Sequence, residues 1–425
     1  MTSLARQYRT AVDARINSGS LAALVRELLR SGKVPELCSF LWWEALYRLK
    51  LLPTVQSADQ PPVLSDPDWL AVNSPATGRS NPGFTIALSP EPWKLVSQGP
   101  GGDSYGCFHT TPEVLLQRPA DGTVAEVHRF RCPIASLFVT ELGTVLVSLF
   151  DGSTHRFDGR SRSCTKVLQL TTTESFVRFD SGVAETTRGL IAMAEYGNVR
   201  EGGSWRSVAN LYFSLDDGCQ WECSNFFIEA GVNKHIHLLH YSPRLDALVV
   251  TVGDNRKQTW VGQLTDGLPP DNGVNWRRSS RGRTKTGGFT AAVEIDSNII
   301  FGTDYHGGTN FVVASPDCRS MRKRALPDPY RRGPIYAMTT RHTDDGIEIW
   351  AASHNAVSRG ARSLVMMSSD GGATWQRIID YNGERYRVRF ASSAAWGSPS
   401  SLYLYVTLVL EDDSESPVAT LRIGQ

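Results

Sequence analysis

The hydrophobic pattern changes period once along the chain. Up to about residue 52, apolar positions recur at three- and four-residue steps: Leu21, Leu24, Val25, Leu28 and Leu29, then, after a stop at Gly32, Trp42, Trp43, Leu46 and Leu49. That spacing lines up one apolar stripe on a helix. Residues 1–52 are therefore expected to form a helical segment whose aromatic stripe docks on the body of the protein, or alternatively on another subunit, a partner or a membrane surface. Residues 53–83, rich in Pro, Ser, Asp and Asn, read as a linker wrapping over that body. From 84 to 425 the helical period gives way to short runs of Val, Ile, Phe, Thr and Tyr, punctuated by Gly, Asp, Asn and Pro turns, the pattern of an all-β unit.

The strand runs repeat as a group of four. The clearest copy runs from His235 through a turn at Arg244–Asp246 to Trp276, and equivalent first strands begin near Ile134, Phe176, His235, Phe289, Ile335 and Val388. Their spacing, roughly 42 to 59 residues, is that of a four-stranded propeller blade. Six copies are visible and residues 84–116 offer a seventh, so seven blades are expected, with six as the alternative.

A turn motif recurs in phase with the strands. Ser214-x-Asp216-x-Gly218-x-x-Trp221 and Ser368-x-Asp370-x-Gly372-x-x-Trp375 are complete, Asp271-x-Gly273-x-x-Trp276 lacks only the Ser, and Ser315-x-Asp317 is degenerate. The Asp carboxylate can accept N–H bonds inside its own turn, the Gly allows the turn, and the Trp packs between sheets. On these residues the chain resembles the Asp-box (BNR-repeat) propellers, a superfamily that includes sialidases and other glycoside hydrolases, polysaccharide lyases and binding proteins. The resemblance covers the region from about Pro92 onward. It implies a carbohydrate-active propeller, glycoside-hydrolase-like and acting on an acidic glycan or glycoconjugate; a polysaccharide lyase and a non-catalytic glycan-binding or scaffold propeller are the alternatives.

Blade topology assigns each polar group to a face, because the start of a first strand and the end of a second open on the same mouth of the central channel. Second strands end with Glu195 and Tyr196, Asp254, Asp304 with His306, and His354. First strands start near Arg178, His235, His237 and Arg389. For hydrolysis, Glu195 with Tyr196 would supply a sialidase-like nucleophile, and Asp254 or Asp304 the acid/base. Arg178, Arg331 and Arg389 would hold a substrate carboxylate. Two features depart from that scheme: neighbouring strand residues face opposite ways, and the sialidase Arg-Ile-Pro signature is replaced by Arg131-Cys132-Pro133. For β-elimination, a base drawn from His235, His237, His306 or Tyr196 would act with Arg206 as the neutralising cation. No cofactor is required, but His235-x-His237 closed by Asp254 has the spacing for a divalent metal.

Composition narrows the partners. The chain carries 44 Lys+Arg against 43 Asp+Glu over 425 residues, so any field must be local. Arg277, Arg278, Arg281, Arg283 and Lys285, with Arg331 and Arg332, form a basic group on the mouth side that suits an anionic sugar; with few aromatics to stack bases, nucleic acid is not expected. The 7 Cys lack paired zinc spacing, and most are expected to be buried thiols, with Cys219–Cys223 a minor disulfide possibility. No apolar run reaches the ~18 residues of a membrane span, and without a secretory signal the expected location is the cytoplasm.

Overall fold

Seven blades, each built on four antiparallel strands with short extra strands added at some edges, stand around one axis in a computed structural model of the chain. The structure describes residues 26, 34–57, 61–66, 79–81, 83–179, 181–252, 258–264, 274–279, 288–355, 362–393, 399–412 and 414–424. Blade 1 begins with the strand Trp93–Gln98, blade 2 with Ile134–Val139, blade 3 with Phe176–Val177, blade 4 with Ile236–Ser242, blade 5 with Gly288–Ile295, blade 6 with Ile335–Thr343 and blade 7 with Tyr386–Phe390. The seventh blade differs from the sequence expectation. Residues 84–116 do not make one blade: Phe84–Leu88 is the outer strand of blade 7, paired with Glu415–Gly424, while Trp93–Gln98 opens a complete blade 1. The ring is thus closed by strands from both ends of the chain.

Alternating apolar positions of neighbouring sheets interdigitate to form the core. Trp93, Trp350 and Trp375 are essentially inaccessible, and each lies in a cluster with residues of an adjacent blade. The two complete turn motifs share one hydrogen-bond pattern. Ser214 Oγ and Ser368 Oγ donate to Asp216 and Asp370 at 2.8 Å, and the same hydroxyls accept from Gly218 N and Gly372 N at 2.9 Å. Each Trp Nε1 donates to the carbonyl of its own turn glycine, at 3.0 Å in one and 3.2 Å in the other. Gly218 (φ +81°) and Gly372 (φ +87°) occupy the left-handed region. Asp370→Ala removes the acceptor of Thr374 N and Oγ1, and by analogy with helix caps it should cost about 0.5–2 kcal/mol in urea unfolding.

The N-terminal stretch covers the rim. Thr54 bridges to Ala325, Gln56–Ser57 and Leu64–Ser65 run parallel to the outer strand Thr374–Asn382, and so the otherwise open edges of blades 5 and 6 are partly capped. Ahead of it, the helix Val34–Arg48 lies on blade 5. Trp43 packs edge-on against Phe311 at 5.1 Å and is 8% exposed, whereas Trp42 is 52% exposed, so the aromatic stripe is divided between body and solvent. Among the described residues no helix is long and apolar enough to cross a membrane. None of the seven cysteines is in a disulfide; against the expectation that most are buried, only Cys107 and Cys318 are, and Cys38, Cys219 and Cys223 are exposed.

On the face opposite the mouth, a groove of about 620 Å³ lies between blades 1 to 3, lined by residues that include Asp103, Tyr105, Arg156 and Asp217. Beside it, Glu185 accepts from Glu141 N at 3.0 Å. Burial, together with the Asp217 and Glu141 charges, outweighs that bond and pushes Glu185 up to about 7. Because the folded state holds this proton more tightly than the unfolded chain, Glu185 leaves stability intact below the ordinary glutamate pKa and reduces it as pH rises through about 7. Glu185→Gln should therefore raise the melting temperature above that of the parent at about pH 8.5 and not at about pH 5.

Candidate functional site

Inner strands reach the axis with a recurring irregularity. In blades 1, 2, 4, 5 and 6 the register between first and second strands slips by one residue near the mouth, leaving Lys94, Ala135, His237, Thr290 and Tyr336 as the extra residue. Such a bulge bends the strand and re-aims the side chain. Its effect is clearest where the bulged residues are polar: His237 and Tyr336 meet groups from other blades around the axis.

A chain of polar contacts starts in blade 3. His235 Nδ1 lies 2.6 Å from the Gly197 carbonyl, which can only accept, so this nitrogen carries the proton. His235 Nε2 then accepts from His237 Nε2 at 3.0 Å. With its Nε2 proton so committed, His237 turns Nδ1 toward Asp304 Oδ2, 3.9 Å away. A further proton on His237 would make an ion pair there. Asp304 Oδ1 lies 3.3 Å from His306 Nε2, which is 3.1 Å from the Tyr336 hydroxyl. Burial, reinforced by the negative charge of Asp304, pushes the Tyr336 phenol well above its ordinary value. The set thus spans blades 4, 5 and 6, with hydrogen bonds at its His235–His237 and His306–Tyr336 ends and electrostatic contacts at Asp304 between them.

Tyr196 roofs this chain. Its ring centroid is 4.0 Å from that of His235 and 6.2 Å from that of His237, and the Arg178 guanidinium lies 5.4 Å from the same ring. Arg178 donates to the His237 carbonyl at 3.0 Å. The two histidines are buried and Asp304 nearly so, while His306 keeps 40% of its side chain exposed. The cluster therefore opens to solvent on the His306 side.

The other candidates are placed differently. Glu195 is fully buried and accepts from Thr171 Oγ1 at 2.5 Å and from Asn210 Nδ2 and Tyr212 OH at 2.8 Å, so both its oxygens are engaged within blade 3 and the loop before it. Arg331, 4% exposed, grips Glu44 with both terminal nitrogens at 2.6 and 3.2 Å, donates to Thr309 and Asp328, and covers Tyr47; it anchors the N-terminal helix. Arg389 makes a two-pronged pair with Glu415 at 2.7 Å, joined by Arg387. Burial alone would raise Glu415, but these two arginines hold it down at about 2. His354 faces the Tyr336 and Tyr381 rings; burial, with the Arg387 and Arg389 charges, lowers it to about 3 and keeps it neutral. Arg206 is exposed on a neighbouring loop. Asp254 and most of the basic loop, including Arg281, Arg283 and Lys285, lie outside the described residues.

For a metal, the described residues bring no group of three or more His, Cys, Asp or Glu side chains within binding reach. The Nε2 atoms of His235 and His237 face each other, and Asp254, the third member of the expected set, is outside the described residues.

No family model matches the chain, and no curated protein matches it in sequence. Solved structures do resemble it in shape. The β-propeller domain of Cps50 (Swd1) from Myceliophteria thermophila is 9% identical, covering 80% of this chain and 98% of that one, with a TM-score of 0.49. YCF48 bound to a D1 peptide is 13% identical over 88% of this chain and 98% of that one, TM-score 0.49. A gluconolactonase from Xanthomonas campestris is 12% identical over 88% and 98%, TM-score 0.41. These likenesses concern the fold, a β-propeller, and the chemistry of the mouth rests on its own residues.

Proposed function

We propose that this chain is a carbohydrate-active propeller that takes an acidic glycan at the channel mouth and cleaves it by β-elimination. The observation that carries this reading is the clustering of His235, His237, Asp304, His306 and Tyr336 beneath Tyr196 and Arg178. Elimination needs a base for the proton beside a uronate carboxylate, a cation for that carboxylate and a proton for the departing oxygen. Tyr196 or His237 takes the proton, its C–H electron pair becomes the new carbon–carbon double bond, and the glycosidic C–O bond breaks. The leaving oxygen is protonated from the His306–Tyr336 side, and Arg178 offsets the carboxylate charge.

Hydrolysis by paired carboxylates is less well served. Glu195 is engaged by three donors, leaving Asp304 as the candidate carboxylate among the described residues of the cluster. A binding-only propeller is the second reading, favoured because Arg331 and Arg389 are tied to Glu44 and Glu415. Incubation with polygalacturonate, alginate, hyaluronate and heparin decides between them. An unsaturated uronate seen by ultraviolet absorbance supports elimination. New reducing ends without that chromophore point to hydrolysis, and binding without either product to the second reading.

A further inference from the structure

The connection between the second and third strands of blade 3 carries a small hairpin on the mouth side. Arg200–Glu201 pairs with Ser204–Trp205 across Gly202 and Gly203, both in the left-handed region at φ +56° and +83°. Arg200 lies directly opposite Trp205, so these two share one face of the hairpin while Glu201 and Ser204 share the other. The Arg200 guanidinium and the Lys234 ammonium each lie 4.4 Å from the centroid of the Trp205 ring, which is itself 38% exposed. Arg206, also exposed, follows directly.

The hairpin is fastened to the candidate site. Arg206 N donates to the Val199 carbonyl at 3.0 Å, and Val208 N to the Lys234 carbonyl at 2.6 Å. Gly197, at the foot of the hairpin, supplies the carbonyl that orients His235, and Lys234 is the residue before that histidine. The cation and aromatic groups are therefore held in fixed relation to the mouth.

Both cations are drawn to the indole by its ring quadrupole, so positive charge is gathered at one partly exposed aromatic side chain, a combination that suits an anionic ligand. The exposed 38% of Trp205 adds an apolar border against which the C–H side of a sugar ring can rest. We propose that this hairpin is an outer subsite for a polyanionic glycan, with Trp205 supporting a sugar unit and Arg200, Lys234 and Arg206 facing its carboxylates or sulfates. The inference rests on the reading of the mouth as an acidic-glycan site and adds that the ligand is a chain of several units.

The test measures binding of polygalacturonate and of free galacturonate by calorimetry to the full chain, to Trp205→Ala and to the double variant Arg200→Gln, Lys234→Gln. Melting curves confirm that each variant is folded, and Trp205→Phe serves as the conservative variant. The expected result is a tenfold or greater loss of polymer affinity in both variants, a shallower salt dependence in the double variant, unchanged binding of the monosaccharide and recovery in Trp205→Phe. Polymer affinity equal to the parent's in both variants would overturn the subsite while leaving the mouth reading intact. A parent that binds neither polygalacturonate nor heparin would overturn both, and binding of polyuridylate in their place would assign the hairpin to single-stranded RNA.

Discussion

Glu44→Ala is expected to release the N-terminal helix and to cost about 3–5 kcal/mol, the usual penalty for stranding one member of a buried ion pair. The side chain of Arg331 is 5% exposed, and Glu44 is its two-pronged partner from the helix Val34–Arg48. Removing the carboxylate leaves Arg331 with Thr309 and the largely exposed Asp328, and takes from Arg332 its neighbour at 3.5 Å. Burial works to raise Glu44, but the Arg331 and Arg48 contacts prevail and hold it at about 2. The pair's contribution is therefore present above the ordinary glutamate pKa and is lost as pH falls through about 2. The loss is capped by the free energy with which the helix holds the body, so the readout is twofold: urea unfolding, and limited proteolysis ahead of Val55. Adding Arg331→Met should recover much of the deficit, since an apolar side chain leaves no stranded charge. A Glu44→Ala protein with parental stability and protease resistance would show that the helix is held by its other contacts, those of Phe40, Trp43, Leu46 and Tyr47.

His237→Ala should lower turnover of an acidic polysaccharide by about 10²–10⁴-fold, the range for loss of a positioned acid or base. His237 stands between two members of the proposed chain, His235 at 3.0 Å and Asp304 at 3.9 Å. Tyr336→Phe keeps the ring and removes only the hydroxyl next to His306; it should lower kcat with little change in KM. His237→Ala with unchanged turnover and an intact melting curve would remove the chain from the mechanism.

Much of the architecture was visible in the alternation of residues and in the turns at Asp216 and Asp370, because both are local: a strand's buried face and a turn's own hydrogen bonds need no distant partner. The site was legible only where topology sufficed. His235, His237, Asp304, His306, Tyr196 and Arg178 were assigned to one mouth from strand direction, and the structure brings them together. Tyr336 escaped because a one-residue bulge at Ile335–Ala337 defeats the two-residue count that decides which way a strand residue points. Arg331 looked like a ligand for substrate because its partner, Glu44, stands on a helix at the far end of the sequence. Glu195 showed one warning in the sequence itself: beside Tyr196 on one strand, the two could not share a face. Its three donors come from Thr171, Asn210 and Tyr212, which no spacing rule connects. The Trp205 hairpin left a modest mark, Gly202-Gly203 between polar and aromatic neighbours, the composition of a tight turn.

The pairing of Phe84–Leu88 with Glu415–Gly424 has a bearing on biosynthesis. A nascent chain leaving the ribosome can stack blades 1 to 6 as they emerge, but its early strand Phe84–Leu88 must wait, edge exposed, until Glu415–Gly424 has been released. Termination ahead of Glu415 would leave the other six blades encoded yet the circle unlatched, with a hydrophobic seam open to a neighbour. Such truncation products should be recovered mainly as aggregates.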